Sequence, residues 1–364
     1  MPEFIPGLLL AQRFFSHAVL PPIQENFPFL KFDAALLGSG SEVLGYDDEV
    51  STDHHWGPRV LLFLTEEDLV NHGPAINELL GQKLPYTFSG YSTNWSEPDP
   101  NDSMTQSLVQ KNTKPINHRV ELFTVRSYLE AFLGISTMEI SQFDWLTLSE
   151  QRLLEFTSGK VFYNTLGKLE QVQARMAYFP ENVWRFKLLA DWEHIGQEIA
   201  FVGRPAMSGD ELGSILETGR LVRYIMRIGY ILSKKYVPYP KWFGTGFSKL
   251  SIGRDLYSLL LSITKEGSWR QRENLLCRAY LILIKKMIEL KIIPKMNIEP
   301  VSYYTRDQVV INAEKICKEI KRTIKEPLAS LEYSLGSIDH FIDQTDILTN
   351  VKLSRKSINF FGKE

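Results

Sequence analysis

The spacing of hydrophobic positions changes partway along the chain, and that change predicts how the chain is organised. Up to about residue 140 the apolar residues come in short runs and alternations. Ala34-Ala35-Leu36-Leu37 and Val60-Leu61-Leu62-Phe63-Leu64 read as buried strands, and the stretch from His118 alternates, with Val120, Leu122 and Val125 apolar. Helical spacing at Leu69, Ile76, Leu79 and Leu80 predicts a helix that Gly73-Pro74 should break in two. Short helices are expected from Gly7 to Phe15 and after Arg126. Tyr86–Trp95 is aromatic and β-prone. Asn94–Asn117 is polar, with Pro98, Pro100 and Pro115, and reads as an exposed loop.

From about Thr147 onward the period becomes 3.6. A helix capped by Ser149 should end at Gly159. A long one from Glu181 is stopped by Gly203 and Pro205, and the next is capped by Ser208 or Asp210. Further helices are expected near Lys249–Thr264, Arg270–Lys291 and Arg306–Lys325. The expected fold class is α+β: an α/β domain over residues 1–145, then an all-helical domain over 146–364.

Composition narrows the function classes. With 41 basic and 43 acidic residues and a net charge of −2, the chain has no electrostatic basis for an extended nucleic-acid surface, although a single nucleotide stays open as a ligand. The two cysteines, Cys277 and Cys317, form neither a disulfide framework nor a zinc spacing, so a reducing, cytoplasmic setting is expected. No signal-peptide pattern opens the chain, and no apolar run approaches the roughly 20 residues that a bilayer requires, so no membrane partner is expected.

The chemistry concentrates between the first two strands, in GSGSEVLGYDDEVSTDHHWGPRVLLFL, Gly38 to Leu64. A glycine-serine turn after a buried strand lets backbone N–H groups approach phosphate. Acids on the next strand can hold Mg²⁺ against phosphate oxygens. Asp53 and His55 are expected on that strand, where alternation projects both to one face and His54 to the other. Glu121 on the alternating third strand is the best further carboxylate. Arg59 could reach phosphate or make a structural ion pair. The run Asp47-Asp48-Glu49 is either a solvated acidic loop or a source of one more metal ligand, with Asp48 the candidate. His55 is either a ligand or a packed histidine beside Trp56.

This pattern of a Gly-Ser turn, an acid pair on a following strand and a later acid resembles the nucleotidyltransferase superfamily of the polymerase-β type. More closely, the chain resembles the DUF4037 family in LLGSGSEVLGYDDEVSTDHHWGPRVLLFL, VWRFKLLADWEHIGQEIAFVGR, GDELGSILETGRLVRYIMRIGYIL, VPYPKWFGTGF and GSIDHFIDQTDIL. The resemblance implies a nucleotidyltransferase-like domain with a mixed sheet followed by a helical domain, and it supplies no substrate. It departs from the superfamily at the second acid, where His55 stands. Imidazole suits Zn²⁺ or Mn²⁺ better than Mg²⁺. Asp53-His54-His55 also spells the signature of the DHH phosphoesterases, but nothing before residue 47 provides their earlier Asp-x-Asp element.

In the helical half, Arg220, Arg223 and Arg227 share a helix face, which could hold a triphosphate or an acidic substrate, or make ion pairs with Glu217 and others. Lys241, beside Trp242 in an aromatic and proline-rich stretch, is a further substrate candidate. The leading expectation is transfer of a nucleotidyl group, AMP first, from an NTP to an unknown small-molecule or protein acceptor. Gly38, Ser39 and Arg59 would hold the nucleotide, Asp53, His55 and Asp48 a divalent metal (Mg or Mn), and Asp53 and Glu121 would be catalytic. The alternative is a catalytically silent nucleotide-binding or regulatory module, which His55 favours.

Overall fold

A computed structural model describes residues 3–102, 104–137 and 139–362. The chain divides into two compact units. The first comprises Met1–Glu139 with Arg152–Ala177, the second Ile140–Gln151 with Tyr178–Glu364. The two are interleaved in sequence, whereas the sequence reading drew one boundary at 145. The chain passes from one unit to the other inside the helix Glu150–Ser158.

The first unit is built on a four-stranded mixed sheet of β1 (Asp33–Leu36), β2 (Arg59–Phe63), β3 (Arg119–Phe123) and β4 (Lys160–Asn164), in the order β3-β2-β1-β4. β1 runs antiparallel to both β2 and β4, with an irregularity between Ala34 and Ala35 on the β4 side. β2 and β3 are parallel, with Arg59 opposite Arg119 and Leu61 opposite Glu121. Both faces of the sheet are covered, so β1 and β2 are buried along their whole length and read as unbroken apolar runs. On one face Ala34, Val60, Leu62 and Val120 pack with Phe14, Val19, Ile76 and Leu80. On the other, the Tyr128 ring meets Phe63, Phe123, Phe132 and Phe156 at centroid distances of 5.2–6.3 Å.

Two local expectations are corrected here. Glu66–Lys83 is one helix, not two, with Pro74 inside it and Thr65 capping its start. The carbonyl deprived of its donor is that of Val70, an exposed residue, so water can take the place of the missing N–H. The Asn94–Asn117 stretch is not simply exposed: Trp95 is buried, pairs with Leu108 in an isolated bridge, and its indole donates to the Pro58 carbonyl.

The second unit is mainly helical, with long helices Glu181–Glu198, Glu211–Leu232, Ser251–Lys265 and Trp269–Glu289, then Ala313–Lys321. It is not all-helical. A small antiparallel ribbon pairs Val301–Ser302 with Val309–Val310. The expected helix from Arg306 therefore begins only at Ala313, where the Asn312 side chain accepts from Lys315 N. The β-branched Val309-Val310 pair prefers the ribbon. Among the described residues, no helix is long and apolar enough to cross a membrane.

Candidate phosphate-binding site

The glycine turn after β1 is built as the sequence predicts, but its neighbours differ. Gly38 and Gly40 have φ of +92° and +145°, outside the range that side chains readily adopt. A Cβ on Gly40 would lie 2.6 Å from Arg59 Nη2, so glycine is also required for close approach. The Ser39 carbonyl accepts from Arg59 Nη2 at 2.6 Å. The Ser39 hydroxyl donates to Glu155 Oε2 at 3.3 Å and accepts from Arg152 Nη1 at 3.1 Å. Arg59 is 5% exposed and binds Glu42, itself 3% exposed, through Nε at 3.0 Å and Nη2 at 2.5 Å. Of the two roles open to Arg59, the structure thus shows the buried ion pair, holding the turn by its backbone.

Asp53 and His55 do not lie on a strand, which corrects the alternation argument. β2 starts at Arg59, and the preceding residues form a 3₁₀ turn, Glu49–Thr52, with Asp53 at its end. The reason is local: Asp48 Oδ1 accepts from Val50 N, Ser51 N and the Ser51 hydroxyl at 3.0–3.1 Å, folding the chain back before it can extend. Asp47 Oδ2 accepts from Gly7 N at 2.7 Å and from the Trp56 indole at 3.0 Å, so it anchors the loop to the N-terminal helix. Asp53 is exposed and paired with its neighbour His54 at 2.8 Å. His55 takes φ +53°, and its N–H donates to the Gln106 carbonyl.

The structure does not bring the expected metal ligands together. Asp48, Asp53 and His55 do not converge, and among the described residues no group of three His, Cys, Asp or Glu side chains could hold a metal ion. His55 Nδ1 accepts from Arg119 Nη1 at 3.2 Å. Burial, then the charges of Arg119, His54 and Arg59, push the His55 imidazole down to about 4.

Arg119 is the residue the sequence reading missed. The parallel register sets it directly beside Arg59. Its guanidinium lies 4.9 Å over the Trp95 ring, and its buried Nε has no hydrogen-bond partner. Burial, then repulsion from Arg59, pulls it down to about 10, so it remains charged at neutral pH. Glu121, two residues along the strand, is exposed on the same strand face. No local signal marks Arg119; only the pairing of β2 with β3, remote in sequence, creates the arginine pair.

The substrate candidates of the helical unit lie at its surface, each against a protein partner. Arg220 is bonded to Glu198, with Nε at 3.0 Å, and lies 3.9 Å from Glu217. Arg223 is bonded to Asp343. Lys241 is exposed on the helix Pro240–Lys249, its Nζ 5.1 Å over the Trp242 ring. The third residue of that face, Arg227, is buried and bonded to Asp191.

Comparison with known proteins adds two similarities. No curated protein matches the chain. One similar solved structure is a nucleotidyltransferase-like protein from Exiguobacterium sibiricum 255-15, at 10% identity and a TM-score of 0.32 over 82% of each chain. A likeness at that level carries no argument. Residues 145–243 match the family model of a domain of unknown function, DUF4037. The match takes in the helices around Trp192 and Arg223 and leaves out the glycine turn and the GSIDHFIDQTDIL stretch. The chain is therefore similar to DUF4037 over that central segment, which takes in Arg152–Ala177 of the first unit and the helices Glu181–Glu198 and Glu211–Leu232 of the second.

Proposed function

We propose that the first unit binds the phosphates of a nucleotide at the Gly38-Ser39-Gly40 turn, with Arg119 as the principal cation, and does so without a bound metal. The observation that supports this is the state of Arg119: a half-buried guanidinium beside a second arginine, with a buried Nε that no group satisfies. Such a group is costly to keep unless an anion completes it. A phosphate is the anion that suits a free guanidinium next to a glycine turn. Arg59 is already neutralised by Glu42, so its part is to hold the turn.

Nucleotidyl transfer to an acceptor is the second reading. Glu121 supports it, being an exposed carboxylate on the strand face that carries Arg119. It would also require metal-binding groups that the present arrangement does not bring together.

Calorimetric titration with ATP, GTP, CTP and UTP, with and without Mg²⁺ or Mn²⁺, tests the proposal. Binding should persist without metal. Arg119→Gln should weaken it about 10- to 100-fold, the worth of a charged hydrogen bond, while Arg119→Lys keeps part of the affinity. No nucleotide binding, or binding indifferent to Arg119→Gln, would refute the proposal. Incubating labelled nucleotides with a cell extract then separates the two readings, because transfer of label establishes chemistry beyond binding.

A further inference from the structure

The helical unit contains a small pocket with a mostly apolar lining. Arg223, Arg227 and Asp343 supply its polar side, and Pro240, Ile342 and Leu348 are among its apolar walls. Neither the nucleotide reading nor the comparisons assign it a role.

The polar side has an unusual division of labour. Arg227 is 5% exposed and fixed in place: its Nε donates to Asp191 at 3.0 Å and its Nη1 to the Asp339 carbonyl at 3.0 Å. Its buried Nη2 has no hydrogen-bond partner. Arg223, one helical turn earlier, is held differently. Its Nη1 and Nη2 grip the two oxygens of Asp343 at 3.0 and 2.7 Å, a bidentate fork. That pair is open to water, with the aspartate side chain 66% exposed and the arginine 43%. Exposed pairs contribute little to stability, so this one is easily exchanged.

We propose that the pocket binds a small organic monocarboxylate, whose carboxylate replaces Asp343 on Arg223 and whose short apolar body covers Pro240, Ile342 and Leu348. Asp343 then serves as an internal stand-in for the ligand. The fork geometry selects a planar carboxylate. Asp343 and Asp339 both line the pocket, and their carboxyl groups disfavour a dianion. The site lies wholly within the second unit and does not depend on nucleotide binding by the first.

Ligand-observed NMR on the full chain tests it. Butyrate and benzoate are the probes, butyramide and benzamide their neutral isosteres, and phenylphosphate the dianion. Both carboxylates should bind and neither amide should. Asp343→Asn removes the competitor and should tighten benzoate about two- to fivefold, the worth of an exposed pair. Arg223→Gln should abolish binding, with circular dichroism confirming that the variant is folded. The proposal is overturned if neither carboxylate binds or if the amides bind equally well. It is also overturned if phenylphosphate binds more tightly than benzoate, or if Arg223→Gln and Asp343→Asn leave the affinity unchanged.

Discussion

Lys187→Met tests a fully buried ion pair of the helical unit. Lys187 is fully buried, its Nζ 3.0 Å from Glu150 Oε1, and it also donates to the Ser337 hydroxyl. The other oxygen of Glu150 accepts from Val237 N at 2.8 Å. Methionine keeps most of the volume and removes the charge, leaving Glu150 buried with Arg227 Nη2 3.8 Å away. At an effective dielectric near 20, a pair 3.0 Å apart attracts by about 5–6 kcal/mol. Part of that offsets the desolvation of both ions, and breaking such a pair typically costs about 3–5 kcal/mol. For a unit of this size the melting transition should fall by roughly 6–20 °C, read by calorimetry. The double variant Lys187→Met with Glu150→Gln should recover most of the loss, because the glutamine oxygen can still accept from Val237 N and no charge is stranded. A single variant that loses less than about 1 kcal/mol, or a double variant no better than the single, would show that Glu150 is solvated and the reasoning mistaken.

Further outcomes can be stated briefly. The His340 imidazole is pushed down to about 4, chiefly by burial and then by the charge of Arg227. The unfolded chain therefore takes up a proton near pH 6.5 that the folded state refuses, and stability should drop by up to about 3 kcal/mol as pH falls from 6.5 to 4. Asp339, raised by burial, acts in the opposite sense, so the check is the difference in slope between the wild type and His340→Gln; equal slopes would remove His340 from the account. Asp33 is fully buried and accepts from Leu166, Gly167 and Leu169 N at 2.8–3.4 Å; Asp33→Ala should cost about 2–3 kcal/mol in denaturant unfolding. His55→Asp should place a carboxylate beside Arg119, at a backbone conformation aspartate tolerates, and so weaken metal-free nucleotide binding about tenfold; stronger Mg²⁺-dependent binding would instead revive the metal reading.

The parts of the fold that the sequence reading anticipated are those where one physical requirement acts within a few residues. β1 and β2 are buried on both faces, so their apolar runs are unbroken and plain to read. The helix Glu211–Leu232 begins at Asp210, whose side chain accepts from Gly213 N, as its capping chemistry predicts. Pro74 misled because a breaker rule weighs one lost hydrogen bond and not the burial of Ile76 and Leu80, which keeps the helix in line. The fourth strand of the sheet, Lys160–Asn164, lies just after a helix and shows no clean alternation, so nothing local identified it as a sheet edge.

The candidate site shows the same division more sharply. Asp47 and Asp48 were singled out for residue type, because carboxylates suit metals. A carboxylate suits backbone N–H groups equally well, and a loop rich in Ser, Thr and Asp offers many of them within three residues. Local partners cost little chain entropy to reach, so Asp48 closes on Val50 and Ser51 before any metal site can draw it in. Arg119 presents the reverse case. Its sequence neighbourhood is unremarkable for an edge strand, where a basic residue usually faces water. Its importance comes from standing opposite Arg59 in a parallel pairing, and a parallel partner cannot be read from a hairpin turn. A charge whose meaning depends on another charge 60 positions away stays hidden until the register is known.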